Sequence, residues 1–255
     1  MRPLILVTND DGIAAPGIAN LVEVAKEFGD VVVVAPDSPQ SAQGHSITIE
    51  NHLRLYAVDM FDGVDAYECS GTPVDCVKLG KFVLFKDRKI DLCVSGINHG
   101  SNASTNVIYS GTMSAATEAA MEGVNSIGFS LENFSMDADF TATKHYARKI
   151  IAHALEHGMG DANLLNVNVP NVPLEEIKGV KICRQAKGFW AEEFLEAKDP
   201  QGRPYYWLTG RFEYLDKGED NDIWALKNNY VSIVPVMYDL THHSAIDSIK
   251  GLETL

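Results

Sequence analysis

Two aspartates stand side by side near the start of the chain, in the run Asn9-Asp10-Asp11-Gly12. Adjacent carboxylates repel each other, and both ionise readily only when a cation lies between them or a proton is shared. Gly12 permits a sharp backbone turn, so the two side chains can converge instead of pointing to opposite faces of a strand. The pair favours a site for a hard metal ion with oxygen ligands, and an ordinary Asn-Asp-Asp-Gly turn is the alternative.

Two further polar loops each follow an apolar run and can join this pair. Ser41 lies in the hydroxyl-rich loop after Val31–Ala35, and Gly96-Ile97-Asn98 follows Ile90–Ser95. Because ligands bind outside the carboxyl ends of parallel strands, we expect the three loops to converge at one edge of a sheet. Two carboxylates, a hydroxyl and an amide oxygen suit Mg²⁺ or Mn²⁺ with water completing an octahedron, whereas zinc prefers clustered His or Cys.

A third feature offers a place for an anion. The run Ser110-Gly111-Thr112 precedes a helix of small residues, Met113–Glu122. A helix start of this kind presents free backbone N–H groups and two hydroxyls, although Ser110 by itself is also explained as a simple N-cap. A metal ion beside an anion site is the apparatus for phosphoryl transfer, since the cation polarises the phosphorus–oxygen bond and the helix start holds developing charge.

The elements that position these loops follow from the hydrophobic pattern. Leu4–Val7, a helix from Pro16 to about Phe28 and Val31–Ala35 form a βαβ unit, which implies a parallel sheet. The pattern also indicates half-exposed extended structure over Ile47–Val58. Thr72 is expected to cap a short helix that begins at Pro73. Further core strands and helices are predicted at Ile90–Ser95, Met113–Glu122, Ser126–Ser130, Phe140–His157, Leu164–Val169 and Tyr230–Pro235. The expected fold class is α/β, a Rossmann-like three-layer fold with a mostly parallel sheet.

The pattern changes at about residue 171. An aromatic run, Tyr205–Tyr214, follows the turn Asp199-Pro200-Gln201-Gly202 and predicts a projecting β-hairpin. We therefore expect residues 1–170 to form the α/β core that carries the metal and phosphate site. Residues 171–255 are expected to be a C-terminal extension with the hairpin, a late core strand and an arm that ends in a short helix, the whole being one functional domain.

The composition excludes several classes of function. The chain has 255 residues, 45% of them hydrophobic, and a net charge of −14 without a basic run, which argues against binding to nucleic-acid polymers or membrane surfaces. Its four cysteines are scattered and indicate neither a zinc site nor a disulfide framework. With no signal peptide and no bilayer-spanning stretch, a cytoplasmic location is expected.

The motifs together resemble the SurE (survival protein E) family of 5′-/3′-nucleotidases over nearly the whole chain. The resemblance is carried by Leu6–Gly12 with Pro16-Gly17, Val33–Pro36, Ser41 with Gly44–Thr48, Gly71–Val77, Val94–Gly100 with Asn102, Val107–Thr112, Tyr230–Ile233 and Asp239–Thr241. It implies a metal-dependent phosphatase acting on nucleoside monophosphates and on short polyphosphate. It also implies one divalent cation per subunit and a homodimer or homotetramer whose subunits exchange their C-terminal segments.

The resemblance assigns roles residue by residue. The implied metal ligands are Asp10, Asp11, Ser41 and Asn98, and the two aspartates are the catalytic candidates. The implied phosphate contacts are Asn98, Ser110, Gly111 and Thr112. His45, in the Ser41 loop, is a further candidate that touches substrate or protonates the leaving oxygen, with a solvent-exposed bystander as the alternative.

Other chemistry-bearing residues favour structural roles. His242 and His243 are typical of a surface or an interface rather than of a second metal pair. Asp75 is expected to complement the helix dipole. The aromatic residues of the hairpin region can stack on a base, but packing at a subunit interface is the simpler interpretation: Trp190, Tyr205, Tyr206, Trp207 and Phe212.

The chain departs from the family pattern in places. Ser104-Thr105-Asn106 stands where many members carry an acidic residue, Ala119-Ala120 delays the glycine of the following helix, and Trp190–Asp222 matches weakly. Base preference is therefore the property that the resemblance transfers least. Two alternatives remain at this point: a nucleotide-binding module without turnover, and a receiver-like signalling domain, which the Ser-Gly end of the Ile90–Ser95 strand disfavours.

Overall fold

The computed structural model describes residues 2–255. Its strands are β1 (Leu4–Thr8), β2 (Asp30–Pro36), β3 (Leu55–Val58), β4 (Asp65–Cys69), β5 (Leu92–His99), β6 (Ser126–Leu131), β7 (Leu164–Val169), β8 (Val180–Ile182), β9 (Gly188–Lys198), β10 (Pro204–Tyr214) and β11 (Val231–Pro235). Its α-helices are α1 (Pro16–Ala25), α2 (Pro73–Leu79), α3 (Gly111–Met121), α4 (Thr141–His157), α5 (Asp222–Lys227) and α6 (Ile246–Ile249). A π-helical turn at Gly80–Leu84 continues α2, and 3₁₀ turns lie at Ser104–Ile108, Leu174–Glu176, His243–Ala245 and Lys250–Thr254.

A nine-stranded sheet runs through the molecule in the order β3-β4-β2-β1-β5-β6-β7-β11-β8. The strands from β4 to β7 in this order are parallel, whereas β3 and β11 run antiparallel to β4 and β7. The predicted α/β fold with a mostly parallel sheet is confirmed. Because β11 and β8 complete this same sheet, the late core strand is present, and the division of the chain at residue 170 stays a prediction.

Each face of the sheet carries its own apolar core. On one face, α1 and α4 pack through residues such as Ile18 and Ile151, both fully buried, against β1, β2 and β6. On the other face, α2 packs against β1 and β2, and α3 packs against β5 and β6, where Ala115 and Ala119 let it approach the sheet closely. Burial on both faces explains why the central strands read as continuous apolar runs.

The structure differs from the sequence-based prediction at four places. Only Leu55–Val58 of the predicted extended segment is a strand, and Ile47 and Ile49 upstream are 48% and 79% exposed. The third core strand continues to His99 through a register shift between Ser95 and Asn98 instead of ending at Ser95. Neither β4 nor α5 was predicted, because β4 is polar and half-buried and α5 has only six residues.

The hairpin β9–β10 forms a separate two-stranded sheet. Its middle section pairs apolar side chains across the strands, Phe194 with Leu208 and Leu195 with Trp207, and all four are at least 60% exposed. A lone two-stranded hairpin is only marginally stable in water, and large exposed apolar patches commonly mark contact surfaces. Elsewhere, no helix within residues 2–255 has the length and hydropathy needed to cross a membrane.

A buried carboxylate ties the base of the hairpin to the core. Asp222, fully buried at the start of α5, accepts hydrogen bonds from the backbone N–H groups of Ser104, Ala186 and Ile223 at 2.8, 2.9 and 2.8 Å. These three donors have no access to water, so the Asp222 carboxylate satisfies groups that would otherwise be orphaned.

We predict that Asp222→Ala lowers the free energy of unfolding by about 2–5 kcal/mol, because it leaves buried N–H groups without acceptors. Asp220→Ala is the control, since this neighbouring carboxylate is exposed and pairs only with Arg184, a contact that solvent screens. Urea unfolding followed by circular dichroism measures both. Equal losses in the two variants would contradict the role assigned to Asp222.

Candidate active site

The aspartate pair stands at the carboxyl end of β1, between β2 and β5. Two backbone hydrogen bonds join this turn to the loop after β2. The amide of Gln40 donates to the carbonyl of Asp10 at 2.7 Å, and the amide of Ile13 donates to the carbonyl of Pro36 at 2.8 Å. Gly12 adopts a φ of +95°, a left-handed conformation that other residues rarely take. The turn inferred from the sequence therefore lies at the predicted sheet edge.

A single cleft of about 650 Å³ opens beside this edge. Its lining includes all four predicted metal-ligand residues: Asp10, Asp11, Ser41 and Asn98. The three loops that carry them come from the ends of β1, β2 and β5, which are neighbours in the sheet. The structure thus brings together residues separated by up to 88 positions in the chain, as the parallel-sheet interpretation requires.

Asp10 is the most enclosed member of the group, at 4% exposure. The hydroxyl of Thr112, at the start of α3, donates to its Oδ1. Gly111 lies so close that a Cβ there would be 2.6 Å from the Cβ of Asp10, which only glycine avoids. Burial raises the pKa of Asp10 to about 6, the Asp11 charge adds to this rise, and the hydrogen bond from Thr112 opposes it.

Asp11 is held by a residue that the sequence analysis did not single out. The Oδ2 of Asp11 accepts from the His99 ring Nδ1 at 2.9 Å and from the His99 backbone N–H at 3.3 Å. The ring packs edge-on against Phe140 with 5.3 Å between centroids. The signal available beforehand was its position directly after Asn98, and the strand extension beyond Ser95 is what turns the ring toward Asp11.

Asn98 and Ser41, the other two predicted ligands, offer an amide oxygen and a hydroxyl in the cleft lining. The side-chain nitrogen of Asn98 donates to the carbonyl of Gly100 at 2.7 Å. This hydrogen bond fixes the side chain with its amide oxygen directed away from Gly100. Ser41 is exposed on its loop. Within residues 2–255 no three His, Cys, Asp or Glu side chains cluster closely enough to hold a metal ion. A cation in this cleft therefore depends on the hydroxyl and the amide as well as on the two carboxylates, which fits Mg²⁺ or Mn²⁺.

The predicted anion cradle is only partly turned to the cleft. Ser110 lines the cleft and caps α3 by accepting from the N–H of Met113 at 3.0 Å. Gly111 and Thr112 do not line the cleft and are buried against Asp10. The N-terminus of α3, with its partial positive charge, thus faces the Asp10 carboxylate.

The histidines flagged in the sequence lie elsewhere. His45 is outside the cleft lining, and its Nε2 is 2.9 Å from Oε2 of Glu118. In the tail, His243 pairs with Asp239 at 2.5 Å and His242 contacts Ser244 at 3.1 Å, both on the exposed surface. The structure therefore brings none of these histidines to the aspartate pair.

Aromatic side chains form a further part of the cleft lining, here called the aromatic wall. Tyr109, Phe134 and Trp190 all line the cleft, and the indole N–H of Trp190 donates to Oδ1 of Asn106 at 2.8 Å. The other predicted stacking residues, Tyr205, Tyr206, Trp207 and Phe212, do not line the cleft. Phe134 was not predicted, since it lies in a loop without a recognisable pattern.

Comparison with known proteins agrees with this geometry. The family model described as Survival protein SurE matches residues 5–192. The chain belongs to the SurE family. The 5′-nucleotidase SurE of Flavobacterium psychrophilum is 58% identical over 98% of this chain and 97% of its own length, and that of Cytophaga hutchinsonii is 57% identical over 98% and 96%. The crystal structure of the SurE protein from Aquifex aeolicus matches with a TM-score of 0.85 at 40% identity, covering 98% of this chain and all of that one. The SurE resemblance drawn from the motifs is thereby confirmed.

We predict that Asp10→Asn stabilises this SurE protein when metal is removed by a chelator. The pKa of Asp10 is about 6 in the folded protein against 3.8 as the ordinary value, so its protonation favours folding at low pH. That contribution is lost as pH rises through about 6, at roughly 1.4 kcal/mol per pKa unit, or about 3 kcal/mol in full.

The measurement is urea unfolding of both proteins in EDTA. The advantage of the Asn variant is expected to grow by about 1 kcal/mol between pH 5 and pH 7.5, because the ionised Asp10 is then fully penalised in the wild type. Asp62→Asn, at an exposed turn, serves as the control and should show no such growth. A variant advantage that shrinks over this pH range would contradict the assigned burial cost.

Proposed function

We propose that this SurE protein is a divalent-metal-dependent phosphatase that hydrolyses nucleoside 5′-monophosphates to a nucleoside and phosphate. The relatives that it matches over nearly their full length are named 5′-nucleotidase SurE. The observation that carries the proposal is that Asp10, Asp11, Ser41 and Asn98 line one cleft. Nucleoside 3′-monophosphates and short polyphosphate are further candidate substrates. Neither the receiver-like alternative nor a binding module without turnover is favoured by membership of this family.

The same four residues would hold one divalent cation per subunit, Mg²⁺ or Mn²⁺. When bound, such a cation polarises the phosphorus–oxygen bond and makes hydroxide available near neutral pH. Residues of the chain orient the two aspartates. His99 fixes the orientation of Asp11 through two hydrogen bonds, and Thr112 fixes that of Asp10. Two adjacent carboxylates are thus held in place before a substrate arrives, which reduces the cost of orientation during the reaction.

We assign the phosphate contacts to Ser110 and Asn98, which line the cleft beside the aspartates. Gly111 and Thr112 contribute indirectly, because they hold Asp10. The aromatic wall of Tyr109, Phe134 and Trp190 supports a substrate with a flat, apolar part, since such rings stack on one another favourably. A nucleotide meets both requirements, with its phosphate at the acidic edge and its base toward the wall.

We predict that Asp11→Asn lowers kcat by at least 100-fold while the protein stays folded. Asn keeps the shape of the side chain but removes a charge that a divalent cation needs. Phosphate release from the four common nucleoside 5′-monophosphates measures this, with Mg²⁺ or Mn²⁺ and with EDTA.

The exposed-turn variant Asp62→Asn is the matched control and is expected to retain wild-type activity. Wild-type-like activity in Asp11→Asn would mean that the metal is held elsewhere. Wild-type phosphate release that persists in EDTA and does not respond to added metal would overturn metal dependence.

We also propose that the protein is a homo-oligomer, a dimer or a tetramer, in which the hairpin β9–β10 and the C-terminal arm contact another subunit. The exposed apolar pairs of the hairpin and the exposed Leu240, Ile249 and Leu252 of the arm support this, because contiguous apolar surface on a soluble protein usually marks an interface. A cytoplasmic location is proposed as well, supported by four cysteines that are all free thiols.

We predict that the double substitution Phe194→Asp and Trp207→Asp lowers the number of subunits in the oligomer. The reason is that it places one charge in each of the two apolar cross-strand pairs, and a charge opposes burial at an interface. Sedimentation equilibrium gives the mass directly. The control pair Glu193→Asp and Thr209→Ser alters the hairpin without adding charge to its apolar face. A wild type that sediments as a monomer, or a double variant with unchanged mass, would contradict the hairpin interface.

A further inference from the structure

A buried carboxylate that the proposed mechanism does not use lies behind the Ser41 loop. Glu118, in α3, is only 3% exposed. Its Oε1 is 2.5 Å from the Nζ of Lys78 in α2, and its Oε2 is 2.9 Å from the Nε2 of His45. A carboxylate this deeply buried is stable only when both oxygens are paired, so the cluster joins α2, α3 and the Ser41 loop at one point.

The loop has few other attachments between its two ends. It begins where the amide of Gln40 donates to the carbonyl of Asp10, and it ends where the Thr72 hydroxyl donates to the carbonyl of Ser46 at 2.7 Å. Between these points, the Gly44 amide donates to the carbonyl of Tyr109 at 3.2 Å. Of the side chains at positions 41–45 in the described structure, only that of His45 makes a hydrogen bond.

We propose that the His45–Glu118 contact is a latch that positions Ser41 in the cleft. Ser41, Ala42 and Gln43 are exposed, so nothing packed around them fixes their conformation. Ala42 has a φ of +60°, a left-handed conformation that residues with a Cβ adopt uncommonly. His45 imposes it from one side by joining the loop to a helix, and the Gln40 amide does so from the other.

The latch makes His45 a positioning residue that acts through Ser41. This inference rests on the proposed function, because the effect of a misplaced Ser41 is on the metal that the cleft holds. Releasing the loop lets Ser41 adopt many conformations, only one of which can bind the metal. The apparent metal affinity then falls in proportion to the population of that conformation. Chemistry at saturating metal is then nearly unchanged, since both aspartates keep their own partners.

The test compares His45→Ala with His45→Gln, because the glutamine amide reaches the position of Nε2 and can still donate to Glu118. Glu122→Gln is the control at the C-cap of the same helix, where the carboxylate lies 2.8 Å from the Nζ of Lys81 and 3.5 Å from that of Lys78 and does not contact the loop. Two quantities are measured on the full-length protein: the Mn²⁺ concentration that gives half-maximal phosphate release, and hydrogen exchange of the Gly44 amide in EDTA.

For His45→Ala we expect a tenfold or larger rise in the half-maximal Mn²⁺ concentration, a kcat within threefold of wild type, and exchange at Gly44 at least tenfold faster. His45→Gln should restore both quantities to within about threefold of wild type, and Glu122→Gln should leave them unchanged. A merely structural role would lower the melting temperature but leave the half-maximal Mn²⁺ concentration unchanged.

Two results would overturn the latch: exchange at Gly44 that His45→Ala does not alter, or faster exchange with an unchanged half-maximal Mn²⁺ concentration. Failure of the proposed function is distinguished by the wild type. If wild-type protein releases no phosphate with any metal, the proposed function is wrong. The hydrogen-exchange measurement still decides whether His45 holds the loop.

Discussion

The burial of one of two adjacent carboxylates at the end of β1 is the constraint on which the rest of the site depends. Asp10 is nearly inaccessible, and its neighbour Asp11 adds repulsion, so the folded protein carries an electrostatic cost at neutral pH. The surroundings reduce this cost without removing it. Thr112 donates to Asp10, His99 donates to Asp11, and the N-terminus of α3 faces the pair. An arrangement that remains unfavourable without a cation is what a metal site requires, and proteins accept lower stability at such sites.

The fold supplies this arrangement through the order of its central strands. Because β1 lies between β2 and β5, loops from three distant parts of the sequence open onto one cleft. The close approach of α3 depends on Gly111, where any side chain would collide with Asp10. The register shift in β5 then turns Asn98 and His99 toward the same edge. Each of these features is a backbone property, which explains why glycines and short polar residues dominate the motifs.

Much of this could be predicted from the sequence, because apolar runs and their spacing define parallel strands independently of details. The sheet edge shared by Asp10, Ser41 and Asn98 followed from that pattern alone. His99 could not be predicted, since its role depends on β5 continuing past Ser95, and the sequence Ser-Gly there reads as a strand end. The interpretation of the Ser110-Gly111-Thr112 run as an anion cradle was incomplete for a related reason. A helix start indicates free N–H groups, but the sequence does not tell which neighbour they face, and here that neighbour is Asp10. For His45, proximity to Ser41 in the chain suggested a place in the cleft, whereas a buried glutamate on α3 pairs with its ring.

The central claim is that one cation is held between oxygens from three separate loops. Anomalous diffraction from crystals grown with Mn²⁺ locates such an ion without reference to any activity. We expect one manganese peak per subunit, in contact with carboxylate oxygens of both Asp10 and Asp11 and with the side-chain oxygens of Ser41 and Asn98. A peak elsewhere in the subunit, or a cleft that stays without manganese at saturating concentration, would contradict it.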